Sequence, residues 1–294
     1  MDAAELRVFA SVAELGSMNR AAAALHTVQS NVTARIKELE AEIGHPLFKR
    51  TSRGVALTAA GRRLLPYATR AIRLLEDACK AVRDDGVPSG GLTIGCLETA
   101  AAMRLSSVLT QFAASYPAVD LSLKSGTSCE LIEQVLQGTV DGAFVCGPVR
   151  HPDLEAEPFF CEELVILTTP TCLDADLALQ KSDLRIVVLR AGCSYRLKLE
   201  AYLAQSGVVG VRILEFGTLE AVLACVAAGL GVTLLPAALI GPVCKSGRVR
   251  THALPDGQGL VETVFVRRRD THATSALRAF LNLARPSSIQ IAAE

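Results

Sequence analysis

Six polar side chains within nine residues, Gln29, Ser30, Asn31, Thr33, Arg35 and Lys37, carry the groups that base edges of duplex nucleic acid would engage. Gln and Asn match the donor–acceptor pair of adenine, and Arg and Lys match the two acceptors of guanine. Further on, Lys49, Arg50 and Arg53 lie in a stretch with no acidic residue between Glu42 and Glu76. Such a local excess of positive charge is what a phosphate backbone attracts. Groups of this kind are useful only if a rigid element holds them outward. Val28, Val32, Ile36, Leu39 and Ile43 recur at intervals of 4, 4, 3 and 4, which marks one face of a helix and leaves the polar set on the other. Thr27 is the expected cap of that helix. The small residues Ala21 to Ala24 would let a preceding short helix cross it closely, as in a helix-turn-helix. On these residues alone, a helical hairpin that binds nothing remains the alternative.

The flanking segments support the same domain. A first helix is predicted over residues 3–15, stopped by Gly16-Ser17, and a hairpin wing over 47–57 turns at Ser52-Arg53-Gly54. His26 and His45 read as turn residues rather than metal ligands. A long helix follows over 59–85, with Leu64, Ala68, Ala71, Leu75, Ala78 and Val82 in a seam spaced alternately by 4 and 3. The seam would pack either on its own domain or on a second copy, and Pro66 within it predicts a kink. Residues 86–91 are Gly- and Pro-rich and read as a hinge.

At 294 residues the chain has room for about two domains, and 50% hydrophobic with 20% charged residues describes a folded protein. Lys+Arg and Asp+Glu balance at 30 each, so total charge names no partner. Nine scattered cysteines without a C-x-x-C pattern argue against zinc and against a disulfide framework. The start, with Asp2 and Glu5, lacks the apolar core of a signal peptide, so a cytoplasmic location is expected. The uncharged run 221–244 is interrupted by Gly229, Gly231, Pro236, Gly241 and Pro242 and reads as buried core, not a membrane span. Paired carboxylates, a nucleophile elbow, a P-loop and a metal cluster are all missing from the pattern, which argues against an enzyme and against a cofactor.

From residue 92 strands and helices alternate, which predicts a parallel α/β sheet in two lobes: lobe I over about 92–161 and 268–294, lobe II over about 162–267. In such sheets ligands collect at the carboxyl ends of strands, beside helix N-termini. Four strand ends qualify, and they nominate Glu98, Thr99, Thr127, Ser128, Cys146, Cys193 and Ser194, with Thr218 closing the cleft from lobe II. Each hydroxyl could equally be a plain helix cap.

Residues 6–61 resemble the amino-terminal domain of LysR-type transcriptional regulators through G-S-x-x-x-A-A-x-x-L-H, Q-S, I-x-x-L-E-x-E-I-G, P-L-F-x-R and L-T-x-A-G. Met18 stands where that family usually has Phe, and Val28 where Ser often precedes the Gln. The second half is similar to the family's two-lobed, periplasmic-binding-protein-like effector domain in Y-P-x-V-x-L, L-x-x-G-x-V-D-G-A-F-V-x-G-P and V-A-A-G-L-G-V-T-L-L-P. The resemblance implies a winged helix-turn-helix over 1–58 that binds promoter DNA and a small-molecule effector in 92–294. It further implies dimers through the 59–85 helix, assembly to a homotetramer, and RNA polymerase as a further partner. One branch of the family senses peroxide through cysteines, so Cys193 beside Arg196 opens a thiol-based reading. A solute-binding module without a DNA role is the other rival.

Overall fold

The computed structural model describes residues 1–51, 54–174, 179, 183–189, 192–245 and 247–285. The chain forms two compact units, Met1–Asp85 and Gly86–Glu294.

In the first unit, α1 (Ala3–Leu15), α2 (Met18–Ala24) and α3 (Gln29–Ile43) surround a core of Leu6, Phe9, Val12, Ala21, Val32, Ile36 and Leu39. Asp2 closes a capping box with Glu5 at the start of α1, and Ser17 caps α2. The turn into α3 places His26 at φ 50, in the left-handed region. Two sequence expectations are corrected here. Val28, not Thr27, is the N-cap of α3, and it makes no capping bond. Val28 is also 64% exposed, because it precedes the first full turn and falls outside the buried Val32–Ile36–Leu39 stripe.

The wing is a two-stranded hairpin, β1 (Phe48–Thr51) with β2 (Gly54–Leu57), paired from Phe48↔Leu57 to Thr51↔Gly54. It is anchored at three points. Glu40 Oε1 accepts the backbone N–H groups of Leu47 (2.6 Å) and Phe48 (3.1 Å). Val55 N donates to Gly16 O at 3.0 Å. Thr58, which caps the next helix, donates its hydroxyl to Pro46 O at 2.7 Å. Gly61 is required beneath it: a Cβ there would lie 2.3 Å from Leu47 O. Helix α4 (Ala59–Arg83) continues through Pro66. Its first half packs on the domain core through Leu64, Leu65, Ala68, Ala71 and Ile72, whereas Leu74, Leu75 and Val82 are exposed. The first reading of the seam therefore holds for the first half of the helix, and the second half stands exposed in the single chain.

The second unit is built on strands β3 (Gly90–Cys96), β4 (Val119–Ser125), β5 (Gly142–Cys146), β6 (Leu154–Thr168), β7 (Arg185–Leu189), β8 (Arg212–Phe216), β9 (Thr233–Pro236), β10 (Arg250–Ala253) and β11 (Leu260–Arg268). The expected all-parallel sheet is corrected. β3 runs parallel to β4 and β5, and β7 parallel to β8, but β11 is antiparallel to β5 and β6, and β9 and β10 are antiparallel to β6. The long strands β6 and β11 pass through both lobes. Their first and last residues respectively pack with the lobe I cores around Phe144 and Val145, while Leu164 to Leu167 and Val261 belong to the lobe II core. The two strands shift register where they cross: Thr263 pairs with Phe160 but Val264 with Pro158, leaving Phe159 unmatched. The chain thus returns to lobe I near Val264, ahead of the expected 268.

The helices of this unit are α5 (Glu98–Ala100), a π-helical turn (Ala101–Leu105), α6 (Ser106–Ser115), α7 (Ser128–Leu136), α8 (Ser194–Gln205), α9 (Leu219–Ala227), α10 (Ala237–Lys245) and α11 (Ser275–Ala284). Helix α11 returns to lobe I, where Phe280 meets Phe112 edge-on at 5.3 Å. Among the described residues no helix is long and apolar enough to cross a membrane.

Candidate nucleic-acid interface and ligand cleft

Gln29, Ser30 and Asn31 form the exposed first turn of α3, and Lys37 is exposed two turns on. Their side chains are ordered by short local bonds. Gln29 Nε2 donates to Thr33 Oγ1 (3.1 Å), Thr33 Oγ1 donates to Gln29 O (2.9 Å), and Asn31 Nδ2 donates to Thr27 Oγ1 (2.9 Å). Gln29 and Ser30 are both exposed at the α3 N-terminus. Arg35 departs from this group. It is half-buried, and its charge, after the N–H groups of Glu5 and Ala4, helps hold the Asp2 carboxyl below its ordinary range. Lys49 is exposed on the wing. Arg53 and the side chain of Arg50 lie outside the described residues.

In the second unit, four chain reversals meet between the lobes around a partly open cavity. Leu97, Glu98, Thr99, Gly126 and Thr127 line it from lobe I, and Leu189, Cys193, Ser194, Tyr195 and Gly217 from lobe II. Two direct hydrogen bonds span the lobes. Thr99 Oγ1 lies 3.1 Å from the Tyr195 hydroxyl, and Ser128 Oγ 3.0 Å from Ser194 Oγ. Behind the first, Tyr195 donates to Glu162 Oε2 at 3.3 Å, and Arg104 Nε from the π-helical turn lies 3.6 Å from Glu162 Oε1 and over the Phe160 ring. Burial, then the Glu162 charge, pushes the Tyr195 phenol well above its ordinary value, so it stays protonated. Thr127 closes a capping box with Glu130.

Comparison with known proteins agrees with both halves. Residues 3–62 match the family model for a bacterial regulatory helix-turn-helix protein of the lysR family, and residues 85–288 match the LysR substrate binding domain. The chain belongs to the LysR-type transcriptional regulators. It is 41% identical over 281 residues to the HTH-type transcriptional regulator CzcR of Bacillus cereus, covering 96% of each chain. Among solved structures it is similar to CbnR in complex with its target DNA, with 26% identity, a TM-score of 0.63, and 97% and 99% coverage of the two chains. Its fold also matches a full-length OxyR variant of Pseudomonas aeruginosa, with 19% identity, a TM-score of 0.72, and 98% and 96% coverage. This LysR-type chain is thus a DNA-binding regulator with an effector-binding domain.

Of the expected cleft residues in this regulator, Glu98, Thr99, Thr127, Cys193 and Ser194 line the cavity, and Ser128 is bonded to one of them. Two are displaced. Cys146 is not in the lining: it gives its backbone N–H to Ser128 Oγ (3.1 Å), and its thiol, whose pKa burial raises, reaches Gly147 O (3.6 Å) and interacts with Ser194. Thr218 is spent as the cap of α9, accepting from Ala221 N at 3.3 Å, and its neighbour Gly217 lines the cavity in its place. The thiol-based reading of Cys193 loses its physical ground as well. Arg196 is taken up by Glu200 (2.9 Å) and Glu215 (2.7 Å), and the eight described cysteines are all unbridged. The solute-module reading fails against the lysR helix-turn-helix match.

Sequence reasoning missed Glu162, Arg104 and the role of Tyr195. One signal was available: Phe160, Glu162, Leu164 and Ile166 alternate along β6, and all four are buried, so the carboxylate sits on an inward face. A charge at an inward strand position calls for a partner.

Proposed function

We propose that this regulator inserts the start of α3 into the major groove of an operator, with Gln29, Ser30, Asn31, Thr33 and Lys37 reading bases. In this reading Lys49, Arg50 and Arg53 of the wing grip phosphate, and Arg35 supports α3 from the side. A small effector binds in the inter-lobe cleft and changes how the assembly holds DNA. The observation that carries the reading is the exposed polar turn Gln29–Asn31 standing opposite the buried stripe of α3. The relative CbnR, solved on its target DNA, supports it.

The exposed apolar residues of the second half of α4 supply a dimer seam, and two dimers make the homotetramer expected of the family. A two-fold dimer sets two α3 helices on half-sites one helical turn or a multiple apart. DNA as partner places the protein in the cytoplasm, and it performs no reaction of its own and needs no cofactor or metal. RNA polymerase as a partner rests on the family resemblance alone.

The test is fluorescence anisotropy with the promoter fragment beside the protein's own gene. Gln29→Ala should weaken binding there by about 1–3 kcal/mol and leave binding to unrelated DNA nearly unchanged. Equal loss on both DNAs, or none on either, would sink the groove assignment.

A further inference from the structure

Hydroxyl protons in the cleft can be assigned one by one. Glu162 is a buried carboxylate beside Arg104, and a carboxylate only accepts, so Tyr195 gives its proton to Glu162. The Tyr195 oxygen must then accept from Thr99, 3.1 Å away. Thr99 has one proton and has spent it; toward the cavity it offers lone pairs only. Its neighbour Glu98 lines the same cavity, and its carboxylate has no hydrogen-bond or ion-pair partner among the described residues. Among the described residues the lining includes no Lys or Arg, and Arg196 in the adjoining turn is held by Glu200 and Glu215. Among the described residues, one end of the cavity therefore accepts without donating and carries a negative charge with no cation beside it.

We propose that the cleft ligand bears an ammonium group, seated against the Glu98 carboxylate with Thr99 Oγ1 accepting one of its N–H bonds. This rests on the effector-cleft reading above and names the chemistry of that site. A simple carboxylate placed there would meet a like charge and a lone pair. The opposite end has the reverse polarity. Thr127 accepts from Glu130 N and keeps its own proton to give, and α8 starts at Cys193 without a side-chain cap. A compound of α-amino-acid type, ammonium at one end and carboxylate at the other, satisfies both ends.

The experiment measures thermal stabilisation of the full-length chain by three probe classes matched in carbon number: L-α-amino acids, primary alkylamines and alkyl carboxylates. Amino acids and, more weakly, amines should raise Tm, with no response to carboxylates. Glu98→Gln, an exposed position whose change leaves the fold intact, should lower the amino-acid affinity about tenfold, the loss of one charge-assisted hydrogen bond. Stabilisation by carboxylates alone, an amine response unchanged in Glu98→Gln, or no response to any amine-bearing probe overturns the proposal. Gly217→Trp separates this failure from failure of the cleft itself. That glycine lines the cavity, has an ordinary φ and has open space where a side chain would start. A response that survives the tryptophan comes from outside the cleft and sinks the site assignment too.

Discussion

Glu40 does for the wing what Ser17 and Thr58 do for the helices that follow them: it satisfies backbone N–H groups that would otherwise be stranded. Glu40→Ala leaves the Leu47 and Phe48 amides without an acceptor at a part-buried position. It should cost the N-terminal unit about 1–3 kcal/mol, read as faster hydrogen exchange of the amides in α1 and α3. On the wing itself, Lys49→Ala should lower the slope of log K against log salt by about 0.9 without altering base preference. A slope that stays put would take Lys49 off the DNA. Much at this scale was legible in the sequence, because caps and exposed polar turns are local features. Arg35 was not. It follows Asn31 by four positions, but its half-burial depends on how α3 lies against α1, which packing rather than spacing sets. Tyr195 and Glu162 were obscured similarly, since 33 residues separate two groups that meet only once the chain between them has folded back.

Among the elements, α4 divides its labour. The half that packs on the domain core is irreplaceable in shape, and Gly61→Ala, with a Cβ driven toward a backbone carbonyl, should destabilise the unit by at least about 2 kcal/mol. The other half should tolerate change within the monomer and fail in assembly. Leu75→Glu with Val82→Glu should turn a dimer into a monomer by sedimentation velocity, with helical circular dichroism retained; a persistent dimer would move the seam elsewhere. Helices α1 and α4 were read to within a residue or two from periodicity and caps, whereas α8 was taken for a loop at its start. Strands fared less well, for physical reasons. The stretch E-A-E-P-F-F-C-E at the start of β6 carries a proline and no clean alternation, so only its apolar continuation from Glu162 looked like a strand. Strand direction is decided by partners about a hundred residues distant, and local pattern holds no record of it.

At the scale of the whole chain, two units divide recognition from sensing, and each of the sensing unit's lobes has its own core. Two side-chain hydrogen bonds described above cross between the lobes. Tyr195→Phe removes the hydroxyl that Thr99 and Glu162 share, which should lower the unfolding temperature of the 86–294 unit by an amount corresponding to about 1–3 kcal/mol. An unchanged melting curve would mean that the contact across the cleft carries no weight. The unmatched Phe159, where β6 and β11 slip by one residue, has a mechanical consequence. Two unbroken ribbons tie the lobes together, so opening cannot be a swing about slack loops. It must be flexure, concentrated where one rung of the ladder is missing. In the proposed function, an effector seated between the lobes would act by twisting stiff backbone.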